Sequence, residues 1–174
     1  SDELVIEGCA EVMASGIGVV QGVNFNSVGQ VVIAGNKAAV EKASEVLKAK
    51  GARKVMPLPV SVPSHCDLMK PAAEKLALEL NSVKFNPAKI PLIQNVNGEI
   101  ASDIHAIKEG LVKQLYSPVL WTKSVATLAQ NDVMTIVECG PGKVLSGLNK
   151  RIHESAKLFN LNSAESMTAL QASL

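Results

Sequence analysis

Two β-branched runs separated by a four-residue turn signal do most to limit what this chain can fold into. Residues 19–25 and 30–34 flank Asn26-Ser27-Val28-Gly29, and polar, glycine-ended punctuation between extended runs predicts a β-hairpin. Ahead of it, Ile6, Cys9, Ala10 and Met13 recur at helical spacing behind a Ser or Asp cap, which predicts a helix over 2–14. Behind it, Asn36 caps a second helix with Ala39, Val40, Ala43, Val46 and Leu47 on one face and Gly51 as its stop. Residues 55–60 form one more strand candidate, and Pro57 and Pro59 push it toward an edge or a linker. The order α-β-β-α-β is that of a split βαββαβ unit without its first strand. Such a piece leaves a strand edge unpaired, which reads as part of a larger protein.

After Pro63 the rhythm lengthens. A helix begins at about residue 64 or 71 and runs to Leu80, with Pro71 at its start or in its first turns. Residues 90–96 read as a buried strand ending at Asn97-Gly98. A helix from Asp103 must stop before Pro118, residues 121–129 are helical, and 135–139 form a strand. Gly140-Pro141-Gly142 then leads into a final helix over 143–153.

Composition agrees with an α/β core. The 174 residues suffice for one domain, or one domain with a small subdomain, and 47% hydrophobic against 19% charged content describes a globular chain. Aromatics are only 3%, so Val, Ile, Leu, Ala and Met must build the interior. A net charge of +1 gives no reason to expect nucleic acid or an anionic membrane as partner. Cys9, Cys66 and Cys139 have neither metal-ligand spacing nor an even count for a disulfide framework, which favours a reducing cytoplasm. No apolar run reaches membrane-spanning length, and no signal segment opens the chain. Ser1-Asp2-Glu3 looks like a helix start, so the chain reads as a fragment.

The chemistry concentrates at Val60-Ser61-Val62-Pro63-Ser64-His65-Cys66-Asp67. His65 falls at a strand-to-helix junction, where the positive end of a helix disfavours imidazolium and leaves the ring available as a base. A histidine that merely caps or packs at a turn is the plainer alternative. An orienting partner is required in the functional case. Asp67 is too near in sequence to reach around the ring, whereas the last carbonyls of the helix after Asp103, Gln114 among them, have no intrahelical donor. Cys66 diverges from its neighbour by roughly 100° on a helix, which argues against a thiol–imidazole pair and for a small buried residue. His105 and His153 read as exposed helix residues. Gly140-Pro141-Gly142-Lys143 lacks the spacing of a phosphate loop, and Lys143, Lys150 and Arg151 read as a solvated face. No serine stands in a G-x-S-x-G elbow, so the chain holds a candidate base without its nucleophile.

Four segments, in order, resemble the bacterial malonyl-CoA:acyl carrier protein transacylases. They are Val23-Asn-Phe-Asn-Ser-Val-Gly-Gln-Val-Val-Ile-Ala-Gly35, Leu58-Pro-Val-Ser-Val-Pro-Ser-His-Cys66, Gln114-Leu-Tyr-Ser-Pro-Val-Leu-Trp-Thr122 and Glu138-Cys-Gly-Pro-Gly-Lys-Val-Leu145. The resemblance covers the later, C-terminal portion of such a protein. It implies an α/β chain in which 1–60 is an incomplete ferredoxin-like small subdomain and 61–174 the C-terminal part of an α/β-hydrolase-like large subdomain. It implies malonyl transfer from CoA through a serine ester to the phosphopantetheine thiol of acyl carrier protein, in bacterial fatty-acid synthesis, with no metal or other cofactor. The partners implied are malonyl-CoA, acyl carrier protein and the missing N-terminal portion. By position, His65 is the general base and the Gln114 main-chain carbonyl orients it. Asn24, Asn26, Ser64 and Val144 fall at substrate-pocket positions. Two rivals remain: a non-catalytic module that binds acyl carrier protein, and an independent Cys66 thiol enzyme.

Overall fold

The structure, a computed structural model, describes residues 1–173. Its first unit is α1 (Asp2–Ala14), β1 (Val20–Ser27), β2 (Gln30–Gly35) and α2 (Lys37–Ala49). The hairpin forms as its turn signal requires: β1 and β2 pair antiparallel, from Val20 opposite Gly35 to Ser27 opposite Gln30. Only Val28 and Gly29 remain in the loop, and Gly29 takes φ +72°, a conformation that costs glycine little. Two register shifts, at Gly22/Asn24 and Phe25/Ser27, bend β1.

One face of each helix closes on the hairpin. Cys9 and Val12 of α1, Val20 of β1, and Ala39 and Ala43 of α2 are buried together, with Val5, Met13, Ile33, Val40 and Val46 packed around them. Small residues let the helices approach closely: a Cβ on Gly8 would stand 2.7 Å from the Leu47 side chain. Asn36 sits at the N-cap of α2, yet its side chain does not cap that helix. Its Oδ1 accepts from the Val19 amide at 2.8 Å instead, while its own amide donates to the Val19 carbonyl, locking the entry to β1 against the exit of β2.

The second part runs through a short 3₁₀ turn (Asp67–Met69), α3 (Lys70–Ser82), α4 (Ile104–Lys113), α5 (Trp121–Gln130), β3 (Thr135–Glu138), α6 (Val144–Ile152), β4 (Lys157–Asn160) and α7 (Ala164–Gln171). β3 and β4 pair in parallel across the α6 crossover, from Thr135 opposite Lys157 to Glu138 opposite Asn160. Asp103 caps α4, its carboxylate accepting from the Ala106 amide at 2.8 Å. Pro71 is tolerated in the first turn of α3, where its missing N–H is not needed. The two parts are stitched where β1 meets the entry to α5. Phe25 donates to the Val119 carbonyl and Val119 to that of Val23, both at 2.9 Å, and Thr122 Oγ1 donates to the Phe25 carbonyl at 2.9 Å.

Several expectations fail, each for an identifiable reason. Residues 55–60 form no strand; Pro57 and Pro59 remove two donors, no neighbouring strand pairs with the segment, and Met56, Leu58 and Val60 stand in solvent. Residues 90–96 likewise give only an isolated bridge, Ile93 to Ile100, and Ile90 and Leu92 are exposed rather than buried. His153 is not a surface residue. It is buried at the end of α6, with Nε2 donating to the Val133 carbonyl (3.1 Å) and Nδ1 accepting from Ser155 Oγ (3.3 Å). Helix α6 is not the last: β4 and α7 follow it, and α7 begins on a capping box in which Ser163 and Ser166 exchange hydrogen bonds. Among the described residues, no helix is long and apolar enough to cross a membrane.

Candidate active site

His65 lies in the loop that leads into the 3₁₀ turn, and its backbone is left-handed at φ +66°. For a non-glycine residue that conformation costs about 1–2 kcal/mol, so the surroundings must impose it. They do so from the worn end of α4. Gln114 is the C-cap of that helix, and there the carbonyls lack intrahelical donors. The Gln114 carbonyl takes the imidazole and the next carbonyl takes the backbone: His65 Nδ1 lies 2.6 Å from Gln114 O, and the His65 amide donates to Leu115 O at 2.9 Å.

A carbonyl oxygen can only accept, so Nδ1 must carry the proton. In the neutral ring the lone pair then sits on Nε2, the tautomer a general base requires. Among the described residues, no carboxylate takes part. The Asp67 carboxylate turns away to an ion pair with Lys70 at 2.8 Å, and its amide donates to Gln21 Oε1 of β1 at 2.7 Å. Replacing Gln114 by Ala leaves the main-chain carbonyl in place, so we expect any turnover that uses His65 as its base to stay within roughly threefold of wild type, checked by steady-state rates. A loss of a hundredfold would mean that the Gln114 side chain, and not its carbonyl, does the holding.

Cys66 is fully buried and its Sγ donates to the Pro63 carbonyl at 3.1 Å. Burial raises its thiol pKa, the Asp67 charge adds to that rise, and a hydrogen bond from the Leu68 backbone offsets only part of it. A buried, protonated thiol is a poor nucleophile, which disfavours the thiol-enzyme reading.

The Gly140-Pro141-Gly142 turn also has its anion built in. Glu138, at the end of β3, accepts from the Leu145 and Ser146 amides (3.1 and 2.7 Å) and from Ser146 Oγ (2.6 Å), so it caps α6. The Ser146 hydroxyl first, and then the helix amides, hold its carboxyl below the usual glutamate range. The folded pKa is thus the depressed one: the cap's contribution is complete above the ordinary glutamate range and is lost as pH falls through the folded value. Glu138→Gln should therefore lower the melting temperature at neutral pH, with the gap to wild type closing in acid; a gap independent of pH would contradict the ionised cap.

The remaining pocket candidates are dispersed around this centre. Asn24 is half-buried on β1, bridged to Val119, and Asn26 lies two residues on, at the second register shift. Ser64 is half-buried beside His65, its amide donating to the Val62 carbonyl at 2.9 Å. Val144 opens α6 and is 71% exposed. Among the described residues, no hydrogen bond joins any of the four to His65. Two contributors escaped the sequence reading, the Leu115 carbonyl and the Gln21 side chain. The first was foreseeable from its place beside Gln114; the second carries no sequence signal. His105 is exposed and stands apart. Among the described residues no cluster of three or more His, Cys, Asp or Glu could hold a metal ion.

No protein-family model matches the chain. The malonyl CoA-acyl carrier protein transacylase of Escherichia coli (strain K12) is 51% identical over 168 residues, which are 97% of this chain and 54% of that protein. The crystal structure of the malonyl-CoA:acyl carrier protein transacylase from Xanthomonas oryzae pv. oryzae superposes with a TM-score of 0.95 at 43% identity, covering 99% of this chain and 55% of that one. A malonyl-transacylase solved in complex with its type II PKS acyl-carrier protein gives a TM-score of 0.94 at 47% identity, again over 99% and 55%. The chain thus spans about half the length of the relatives it matches. Nearly every residue of it aligns, and with it the hairpin, the α4 end and the His65 loop, so the chain belongs to the malonyl CoA-acyl carrier protein transacylase family.

Proposed function

We propose that this chain supplies the general-base half of a malonyl-CoA:acyl carrier protein transacylase acting in fatty-acid synthesis, and that the nucleophilic serine comes from a part of the protein outside these residues. One observation carries the reading: Nδ1 of His65 donates to a main-chain carbonyl at 2.6 Å, which leaves Nε2 as the acceptor. Nε2 takes the proton of the serine hydroxyl as its oxygen attacks the malonyl thioester carbonyl. The C–S bond then breaks, and the imidazolium returns the proton to the departing CoA thiolate. In the second half the phosphopantetheine thiol gives its proton to Nε2, attacks the serine ester, and releases the serine oxygen with that proton. Proton and electron pair balance in each half, and neither half calls for a metal or redox group. Developing charge on the imidazole faces the carbonyl dipole at the end of α4, which favours the cation.

We assign Asn24, Asn26, Ser64 and Val144 to the walls of the acyl pocket, and place the boundary between the small and large subdomains near residue 60. The separate sheets of the two parts and the proline-rich segment between them support that boundary. Acyl carrier protein, malonyl-CoA and the N-terminal portion of the same enzyme are the partners, in a cytoplasmic setting. The solved complex of a relative with its acyl-carrier protein supports the first of these.

Intact mass after exposure to malonyl-CoA tests the reading. The complete protein should gain one malonyl group on a serine outside these residues, and this chain alone should gain none. A stable adduct within the chain, at Cys66 or Cys139, would place the nucleophile here and sink the half-site assignment. Tight carrier-protein binding with no adduct in the complete protein would favour the non-catalytic binding module instead.

A further inference from the structure

We propose that the Gln21 side chain is a positioning residue for acyl transfer, tying β1 of the first unit to the loop that aims His65. The proposal rests on the reading of His65 as the general base.

His65 holds a left-handed backbone, and such a conformation persists only where the surrounding structure over-determines it. On the N-terminal side the His65 amide is fixed by the Leu115 carbonyl (2.9 Å). On the C-terminal side the amide of Asp67, two residues on, donates to Gln21 Oε1 at 2.7 Å. Gln21 lies in β1 opposite Ala34, in the strand whose later residues bond to Val119. The other contacts of the loop are local: Ser64 N to the Val62 carbonyl, Cys66 Sγ to the Pro63 carbonyl, Met69 N to the Cys66 carbonyl, and the Asp67–Lys70 ion pair. Among the described residues, the Gln21 bond alone joins the loop's 64–69 stretch by hydrogen bonding to residues 1–60.

The consequence is geometric. The imidazole hangs from the stretch 65–67, held at its first amide by the α4 terminus and at its last by β1. With the β1 tie removed, the loop can relax from φ +66° toward ordinary backbone and swing the ring off the Gln114 carbonyl. Gln21 touches neither the ring nor its carbonyl partner, so it acts through the loop.

The test uses the complete protein carrying Gln21→Leu, which keeps the bulk and removes the acceptor, and Gln21→Glu, which keeps an acceptor at the same reach. Gln21→Leu should lower kcat roughly tenfold while KM for malonyl-CoA changes by less than about twofold, because small errors of aim act on the chemical step. Gln21→Glu should stay within about twofold of wild type. The His65 Nδ1 proton, donated over 2.6 Å, should give a far-downfield NMR resonance in wild type and Gln21→Glu, and a broadened or upfield-shifted one in Gln21→Leu. Wild-type kcat with an unchanged resonance in Gln21→Leu overturns the proposal, as does an equal loss in both variants. Should Gln21→Leu fail to fold, Gln21→Glu decides: retained kcat and resonance uphold it, and their loss overturns it. A parallel His65→Ala separates the two claims. If that variant keeps wild-type transfer, the base assignment fails and the kinetic claim with it; if it abolishes transfer while Gln21→Leu does nothing, Gln21 alone is wrong.

Discussion

His65→Ala in the complete protein lowers acyl transfer by roughly two to four orders of magnitude, the range expected when a positioned general base is removed. The loss should fall on kcat and on kcat/KM alike, because the proton moves only as the thioester is attacked. The structure sharpens this expectation. Nδ1 is committed to the Gln114 carbonyl at 2.6 Å, so a His65→Gln variant could keep that donation through its amide yet could not take up a proton. It should be as slow as alanine. Nearly full activity in either variant would remove His65 from the proton path and leave its strained backbone without a functional explanation.

Gly35→Ala should cost the most stability of the Gly→Ala changes in this chain. A Cβ at residue 35 would collide with the Val19 carbonyl oxygen and stand 2.8 Å from the Val20 Cα, both backbone atoms that cannot turn aside. Val19 is held there by Asn36 from two directions. Overpacking against flexible side chains typically costs about 1–3 kcal/mol, and a backbone clash belongs at or above the top of that range. The melting temperature should fall by roughly 6–12 °C for a chain of this size. Gly147→Ala is the matched control: nothing lies within 4 Å of its Cβ position in α6, so alanine there should raise stability by about 0.5–1 kcal/mol. Equal melting temperatures for the two variants would mean that the β1–β2 junction is looser than these contacts require.

The parts of the fold that could be read from the residues are those that carry their own punctuation. The hairpin announced itself through its turn, α2 through its apolar face and Gly51, and α4 through Asp103 and the barrier of Pro118. The free carbonyls at the end of α4 were legible for the same reason, since that helix must stop before Pro118. Their local pattern points to water as readily as to His65, and only the family resemblance singled out the Gln114 carbonyl as the partner of the ring. Strand propensity becomes a strand only when a neighbour supplies the ladder: among the described residues 55–60 has no partner, which leaves the linker its prolines allow, and 90–96 has only the Ile93–Ile100 bridge. His153 is buried, not exposed, because helical spacing does not reveal the segment ahead of β3 whose Val133 carbonyl accepts from its ring. The Gln21–Asp67 bond pairs a side chain with an amide 46 positions away, and no local pattern encodes such a pair.

The stitching of β1 to the start of α5 bears on how the chain acquires its structure. Thr122 and Phe25 meet across 97 positions, and His65 and Gln114 across 49, whereas α1, β1, β2 and α2 contact one another as near neighbours. Closing a long loop is entropically unfavourable before any contact rewards it. The first unit can therefore assemble early, and the pairing of Val23 and Phe25 with Val119 comes late. The left-handed peptide at His65 is set only once its distant anchors, Gln114 and Leu115, exist. A ribosome must release Leu115 before the imidazole can be aimed, so the reactive geometry matures later than the first unit, although His65 itself emerges soon after it.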